Sequence, residues 1–433
     1  MADVTQGMLT AFGEHGIPYL EAFPDEIFQN NRTLSFLSKM GAYVKKKKME
    51  MTNGRSDDMN LGSLFKPLDG RSVGVDYDIS EFLTADQIQS GDFYIQDRTK
   101  IEHQEGGGMV RGRHFAADVG IGMSVPLKEM QLWDELYRGS KLGAMKLKWT
   151  EKWKGFLNRF AMFIANQFYY GLGTVDTDGT GLDLFNTAKI ETSLGLTKPS
   201  LNQLEGIMYH LFDPTYDYGG VDVSKYGYFA PYSKDMSALS ASASVFGYTS
   251  SASIDTRTEL IGTTNSKTAG VPVILDIIGR MIRYMDAGKK EKVQLVVVSQ
   301  DIYDCVVDAK TSKLYTPYGG GDGPFLERLM EAGIMNAQIV NGVPIIADDS
   351  AIESPTSKTG EYIFPIDTML FYKKLDSFEF FANRLNNFKA SPFAPMPGVW
   401  NTQETHVSGT ILSMNNYRSG QGILKLPTVT YTS

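Results

Sequence analysis

The clearest periodicity in the chain is an apolar stripe between residues 141 and 171. Apolar side chains recur there at spacings of three and four, the period of one helix face, and they are Trp149, Trp153, Phe156, Leu157, Phe160, Ile164 and Phe168. A helix over this segment is about 45 Å long at roughly 1.5 Å per residue. Gly171 provides the residue type at which helices commonly end. Because no heptad repeat persists, we predict one long helix across which other elements lie, not a coiled coil.

Upstream of this helix the pattern changes to the period of two that is typical of β-strands. Residues 72–82 and 109–119 read as strands, and residues 92–103 are predicted as a further strand between them. Three consecutive glycines at 106–108 mark a flexible turn. These strands offer few apolar side chains for a core of their own. We therefore expect an extended hairpin around the glycine turn that packs against another subunit.

Downstream of residue 200 helical and strand segments alternate, which favours a mixed α/β arrangement. Residues 271–287 have a helical apolar register, and residues 293–298 form an unbroken apolar run typical of a buried strand. Ser299 is placed to cap the helix that follows. Asn341-Gly342, between two short strands, is a strong signal for a tight hairpin turn. Further strands are predicted at 362–372 and 378–382, and together these segments predict one compact domain around a central sheet.

The two ends of the chain have weaker patterns. Residues 1–60 contain one plausible short helix, between 24 and 44, and are otherwise predicted to be an arm. Four lysines at 45–48 favour a solvated face or a contact with acids of a neighbouring chain over nucleic-acid binding. Residues 403–414 and 422–431 are predicted as strands with little core of their own. We expect both strands to return beside the long helix, and residues 125–137, which lead into it, to form a short helix or turn.

Composition and charge narrow the functional classes. Hydrophobic residues make up 42% of the 433 residues, which argues against a disordered chain. The net charge of −8 argues against a protein that grips nucleic acid through its phosphates. Cys305 is the only cysteine, so no disulfide can form within the chain, which fits assembly in a reducing cytoplasm. No segment approaches about 18 consecutive apolar residues, so no transmembrane helix is expected.

The motif search gives no enzymatic constellation. The chain contains no P-loop, no strand followed by GxGxxG, no HExxH and no GxSxG. His103 and His114 could face one another across the hairpin, but two histidines without a third ligand make a weak metal site. An aspartate- and glycine-rich loop at 171–181 lacks the closing glutamate of a calcium loop, so a plain turn is favoured. Cys305 is interpreted as a buried structural thiol. We therefore expect no enzyme activity, no metal and no cofactor.

The order of these elements resembles that of the tailed-phage major capsid proteins of the Hong Kong 97 type. Several stretches are similar to members of that family, and they are residues 157–173 (LNRFAMFIANQFYYGLG), 219–229 (GGVDVSKYGYF), 296–304 (VVVSQDIYD), 336–350 (NAQIVNGVPIIADDS) and 407–424 (VSGTILSMNNYRSGQGIL). The pattern spans most of the chain, and the joint order of the stretches carries more weight than any one of them.

The resemblance implies an α+β fold with an N-arm, an E-loop, a spine-helix P-domain and an α/β A-domain. The implied segments are 1–60 for the N-terminal arm, 61–122 for the E-loop and its strands, 123–199 for the P-domain with the spine helix, 200–385 for the A-domain and 386–433 for C-terminal strands that return to the P-domain.

The function implied by the resemblance is structural. Copies of the chain would form the hexamers and pentamers of an icosahedral head shell, which encloses double-stranded DNA without sequence-specific binding. The shell would assemble in the cytoplasm of the host bacterium and belong to the virion, with portal, scaffolding and decoration proteins as further partners and no membrane. The alternative is an encapsulin-like compartment shell, which shares the fold but is usually built from a shorter chain.

Three sets of residues follow as candidate sites from the resemblance and the apolar pattern. The intersubunit contacts at the E-loop tip are Gly106, Gly107, Gly108, Arg111 and Arg113. The intersubunit contacts of the N-arm are Lys45, Lys46, Lys47 and Lys48. The core of the spine helix is Trp149, Trp153, Phe156, Phe160 and Phe168.

Overall fold

One long helix and two six-stranded sheets dominate the part of the chain that the structure describes. The structure is a computed structural model, and it describes residues 27, 33–35, 37, 66–68, 74–80, 109–126, 128, 141–170, 206, 211, 214–215, 218–287, 291–311, 337–348, 351–353, 360–362, 364, 366–383, 389–390, 394–395, 402–427 and 429.

In the described part of the chain, sixteen strands and four α-helices have defined bounds. The strands are β1 Lys66–Leu68, β2 Gly74–Ser80, β3 Met109–Phe115, β4 Ala117–Pro126, β5 Tyr232–Asp235, β6 Val293–Val298, β7 Gln338–Val340, β8 Val343–Ala347, β9 Ala351–Glu353, β10 Gly360–Tyr362, β11 Thr368–Lys373, β12 Phe378–Asn383, β13 Lys389–Ala390, β14 Ala394–Pro395, β15 Thr402–Asn415 and β16 Gly422–Lys425. The α-helices are α1 Lys141–Tyr170, α2 Arg257–Ile261, α3 Val273–Asp286 and α4 Gln300–Thr311.

Helix α1 confirms the long helix that the apolar stripe predicts. Its buried side chains recur every three or four residues, and they are Trp153, Leu157, Phe160, Ile164 and Phe168. The opposite face carries the exposed Glu151, Lys152 and Lys154. The ring of Phe168 packs edge-on against Phe380 of β12, with 5.4 Å between the ring centroids. The helix therefore lies on the sheet to which β12 belongs.

That sheet, the first of the two, is built around the long strand β15. The order is β1-β12-β15-β13, and β4 and β14 also pair with β15. The antiparallel register between β4 and β15 runs from Thr402 opposite Pro126 to Ile411 opposite Ala117. The predicted return of the strand 403–414 to the region of the long helix is confirmed. Val125 and Pro126 belong to β4 and not to the short helix or turn expected at 125–137, and most of that segment lies outside the described residues.

Strands β2 and β3 form a separate two-stranded hairpin. Their antiparallel register runs from Gly74 opposite Phe115 to Ser80 opposite Met109. The strand predicted at 109–119 is thus two strands, because the chain changes its partner from β2 to β15 at Ala116. The expectation that His114 faces His103 is not supported, since the residue opposite His114 is Val75. Residues 92–103, His103 among them, lie outside the described part of the chain.

The second sheet has the order β5-β16-β11-β6-β8-β7 and contains the main apolar core. Strand β6 is the predicted apolar run. The Oγ of Ser299 accepts the backbone N–H of Ile302 at 3.3 Å, so the predicted helix cap is confirmed. Asn341 and Gly342 have φ values of 52° and 76° in the turn between β7 and β8, as the predicted hairpin requires. The core under α3 and α4 includes Ile274, Ile277, Ile278, Met281, Val296, Val298, Ile302, Val306, Ile345, Phe371 and Leu424.

Two strands lie in a different sheet from the one that the sequence analysis assigns to them. Strand β16, expected beside the long helix, lies between β5 and β11 in the second sheet. An ideal Cβ at Gly422 would lie 2.6 Å from the Sδ of Met285, so helix α3 crosses this strand too closely for a side chain. Strand β12, expected in the central sheet of the α/β domain, pairs with β15 instead. Hydrophobic periodicity identifies a strand but not its partner, so the segments 200–385 and 386–433 each contribute to both sheets.

Part of the predicted N-terminal arm is buried in its own chain. Ile27, Leu34 and Leu37 are fully buried. The Oγ1 of Thr33 donates a hydrogen bond of 3.0 Å to Oδ2 of Asp348, just after β8. At these residues the expectation of an arm that packs on neighbouring subunits is wrong, because their apolar side chains bury surface within one chain.

We predict opposite effects of two glycine-to-alanine substitutions on the free energy of unfolding. Gly342 has a positive φ and open space around its Cβ position, so Gly342→Ala costs about 1 kcal/mol through backbone conformation alone. Gly155 is exposed in α1 and is also surrounded by open space, so Gly155→Ala stabilises the fold by roughly 0.5–1 kcal/mol through helix propensity. Urea denaturation followed by circular dichroism measures both, and effects of equal sign would contradict the assigned conformations.

Candidate assembly surfaces

The two sheets are connected by a buried crossing. Strands β11 and β12 are joined through residues 374–377, and β15 and β16 through residues 416–421, so two paired strands pass side by side from one sheet into the other. The side-chain amide of the buried Gln421 accepts the N–H of Lys373 at 3.0 Å and donates to its C=O at 3.1 Å. The N–H of Asn416 donates to the C=O of Ser377 at 3.1 Å. Hydrogen bonds between the strands therefore continue where the regular pairing stops, as buried backbone groups require.

Tyr218 and Arg418 tie a surface segment to this crossing. Both side chains are fully buried. The hydroxyl of Tyr218 accepts the N–H of Asn415, the last residue of β15, at 2.8 Å. The guanidinium of Arg418 lies 5.9 Å from the ring of Tyr218 and 5.6 Å from the ring of Phe229, which are cation–π distances. It also donates to the C=O of Pro214 at 3.4 Å. The segment 214–229 is thus fixed to the turn between β15 and β16.

The hairpin β2–β3 attaches to this same place through one side of β3. The ring of His114 lies 4.2 Å from that of Tyr218, centroid to centroid. Val110 packs against the buried cluster of Tyr218, Val221 and Phe229. Alternate side chains of β3 therefore lie against the body of the chain, and those between them point away from it.

The arginines of the predicted E-loop contact lie on that outward side. Arg111 and Arg113 are exposed, but they lie within β3 and not in a turn at the tip. The backbone register places Asp78 opposite Arg111 and Asp76 opposite Arg113. Gly106, Gly107 and Gly108, and also Lys45 to Lys48, lie outside the described residues.

The predicted core of the spine helix lies on a single face of α1. Trp153, Phe160 and Phe168 are buried, and Phe156 is half-buried with its ring stacked 5.4 Å from that of Trp153. The side chain of Trp149 lies outside the described part. The apolar face is therefore used for packing within the chain, and the charged face is left for solvent or a neighbour.

A buried carboxylate supports an exposed turn on the second sheet. Asp276 of α3 accepts hydrogen bonds from the hydroxyl of Tyr248 at 2.9 Å, from that of Thr268 at 2.5 Å and from Nε of Arg280 at 2.9 Å. Burial raises the pKa of this carboxyl, but the bonds from Thr268, Arg280 and Tyr248 outweigh burial and hold its pKa below the ordinary value. Arg280 also donates to the C=O of Phe246, which fixes the turn 245–248 to the same carboxylate.

Three further properties of the described residues concern enzyme, metal and membrane sites. Burial raises the pKa of the Cys305 thiol to about 12, so it is protonated at neutral pH and is a poor nucleophile. It is buried, as the sequence predicts. No group of three or more histidine, cysteine, aspartate or glutamate side chains with the arrangement of a metal site occurs in the described ranges. Of the helices described, none is both long enough and apolar enough to cross a bilayer.

The residues of the crossing are not among the candidate site residues predicted from the sequence. Arg418 and Gln421 lie in a short polar turn, which from sequence alone reads as surface. The available signal was their place within the stretch 407–424, one of those that carry the family resemblance. A buried arginine becomes understandable only when the rings of Tyr218 and Phe229 are placed beside it.

Comparison with known proteins gives distant structural similarity only. No protein-family model and no curated protein sequence matches the chain. The cyanophage A-1(L) capsid is similar at 9% identity and a TM-score of 0.45, over 84% of this chain and 90% of that one. The procapsid of satellite phage P4 is similar at 12% identity and a TM-score of 0.36, over 85% and 86%. The SrpI encapsulin complex of Synechococcus elongatus has 7% identity and a TM-score of 0.36, over 85% and 87%. Similarity this distant does not by itself assign a fold or a function.

We predict that Tyr218→Phe destabilises the chain, because it leaves the buried N–H of Asn415 without its acceptor. The expected loss is roughly 1–3 kcal/mol of unfolding free energy, measured by urea denaturation. Tyr284→Phe is the matched control, since the side chain of Tyr284 is 43% exposed and water can replace its hydroxyl contacts. Equal stability of Tyr218→Phe and the control would show that the tyrosine hydroxyl does not hold the crossing.

A second prediction concerns acid stability. Because the pKa of Asp276 is lower in the folded chain than in the unfolded one, its ionised form stabilises the fold at neutral pH, and this contribution is lost as the pH falls through the folded-state pKa, below about 4. Asp276→Asn should therefore be less stable than the wild type at pH 7 and lose less stability on acidification. The control is Asp235→Asn, which changes an exposed carboxylate bonded to the N–H of Ser237. Parallel pH profiles for wild type and Asp276→Asn would contradict the prediction.

Proposed function

We propose that this chain is a major capsid protein of a tailed bacteriophage, with the Hong Kong 97-like fold. In this proposal copies of the chain form the hexamers and pentamers of an icosahedral head shell that encloses double-stranded DNA. The observation that carries it is the hairpin β2–β3, which is fixed to the body by one side of β3 and exposes Arg111 and Arg113 on the other side.

The hairpin supports a function in assembly because it is a poor fold by itself. A two-stranded ribbon is marginally stable in water, and stability usually comes from a third strand or a packed face. The described contacts of β3 with the body involve Val110 and His114, while Arg111 and Arg113 remain exposed. A neighbouring copy can supply the missing surface, and repeated contacts of this kind are what a closed symmetric shell consists of.

The order of elements supports the same proposal. A hairpin, a 30-residue helix, an α/β sheet and a strand that returns to the helix follow one another as in the family that the sequence resembles. Helix α1 spans about 45 Å at roughly 1.5 Å per residue, so it can set the width of a broad, flat subunit. The junction near Tyr218 connects the first sheet, on which helix α1 lies, the second sheet and the hairpin β2–β3.

Charge is consistent with a wall around nucleic acid. The net charge of −8 gives DNA phosphates no general attraction to the chain, so a shell of such chains encloses DNA without binding it tightly. Portal, scaffolding and decoration proteins, and assembly in the cytoplasm of the host bacterium, are further parts of the proposal.

Residues 81–108, which connect β2 to β3 in the sequence, provide the test. Because Ser80 lies opposite Met109, residues 81–108 can be replaced by Asn-Gly, which closes a two-residue hairpin without changing the register. We expect the wild type to form closed shells in electron micrographs, and the variant to remain folded by circular dichroism but to form none. Shells of normal size from the variant would exclude residues 81–108 from assembly.

The wild-type sample decides the broader proposal. Shells with packaged DNA and a portal vertex agree with a phage capsid. Small empty shells loaded with an enzyme indicate an encapsulin-like compartment instead. A stable monomer that does not assemble at any concentration would contradict both.

A further inference from the structure

A cluster of aromatic side chains lies at one edge of the second sheet, where Tyr284 is exposed and Tyr232 and Phe246 are partly buried. Tyr284 of α3 is 43% exposed, and its ring lies 5.7 Å from that of Tyr232 and 6.0 Å from that of Phe246. The Nζ of Lys234 lies 4.6 Å from the centroid of the Tyr284 ring, a cation–π distance. Tyr232 and Lys234 belong to β5, the last strand of this sheet on that side. We call these four residues the aromatic edge.

The backbone at Phe246 indicates that this cluster is more than incidental exposure. Phe246 has a φ of 54°, a left-handed conformation that is costly for a residue with a large side chain. The turn is closed by the bridge between Val245 and Tyr248, and Tyr248 and Arg280 connect it to the buried carboxylate of Asp276. A buried network thus maintains a strained turn whose ring stays half-exposed. Strain held in place by its surroundings is typical of functional surfaces.

Helix α4, which packs on the same sheet, has a face of complementary charge. Asp301, Asp304 and Asp308 recur at helical spacing on the partly exposed face of α4. Asp308 is ion-paired with Arg257, so Asp301 and Asp304 carry most of the negative charge of this face.

We propose that the aromatic edge of one copy binds the acidic face of α4 in a second copy. Since the two surfaces are different patches of one chain, the contact is head-to-tail, and repeated head-to-tail contacts close into a ring when the rotation between copies allows it. Aromatic residues supply apolar area at the centre of such a contact, and Lys234 opposite the carboxylates sets the register. This inference rests on the proposed function and names a surface through which copies meet.

Charge reversal tests the pairing. Lys234→Glu alone, and Asp301→Lys with Asp304→Lys, should each lower the yield of assembled particles by at least about tenfold, because like charges then face one another. The three substitutions together should restore most of the yield. Lys225→Glu is the matched control, since Lys225 is also a lysine over a tyrosine ring, 5.2 Å from the centroid of Tyr226, but lies outside the aromatic edge. Circular dichroism confirms that each chain is folded, and sedimentation measures the particles.

Each outcome decides the inference. Loss in the single-sided variants with restoration in the combined variant supports it. Unchanged assembly of Lys234→Glu, or failure of the combined variant to recover while it remains folded, overturns it. Wild-type shells that tolerate every charge reversal would leave the proposed capsid function intact and remove only this contact. Rings that respond to the reversals but never close into shells would support the contact and contradict the capsid function.

Discussion

The arrangement of this chain depends on one constraint: two paired strands must pass from one sheet into another without leaving buried backbone groups unbonded. Where the pairing of β11 with β16 ends and that of β12 with β15 begins, Gln421 supplies a donor and an acceptor to Lys373. Asn416 and Ser377 continue the connection on the other side. An unpaired buried amide costs about 1–3 kcal/mol. A crossing whose buried backbone groups are hydrogen-bonded is therefore favoured over a linker that leaves them unbonded.

The same crossing positions the elements that we assign to assembly. Arg418 lies three residues after the end of β15, and its guanidinium packs on the rings that also contact the hairpin. The base of the hairpin therefore has a fixed place relative to both sheets. Helix α1 rests on the first sheet through contacts such as that of Phe168 with Phe380. Internal contacts fix the body of the chain, whereas the hairpin beside it is incompletely packed. A shell subunit with this arrangement can gain stability from neighbouring copies. The aromatic edge lies on the second sheet and offers a separate lateral contact.

Hydrophobic periodicity predicts which segments are helices and strands better than it predicts which strands pair with one another. The stripe from Trp153 to Phe168, the apolar run Val293–Val298, the cap at Ser299 and the Asn341-Gly342 turn each have a local cause, and each is present as predicted. The strand at 422–425 was placed with the wrong sheet, since a strand's pairing is decided by residues far away in sequence. The buried Arg418 and Gln421 were not recognised, because a polar side chain in a turn is buried only when distant rings and amides satisfy it. The participation of the candidate E-loop and N-arm residues in assembly stays a prediction.

Amide hydrogen exchange measured on the isolated chain and on assembled particles tests the central claim most directly. The account predicts that amides of β6, β11 and the crossing at Asn415, Asn416 and Lys373 are protected equally in both samples, because their hydrogen bonds lie within one chain. It predicts that β2 and β3 gain strong protection only in the particle. Full protection of the hairpin in the isolated chain, or rapid exchange at the crossing, would contradict it.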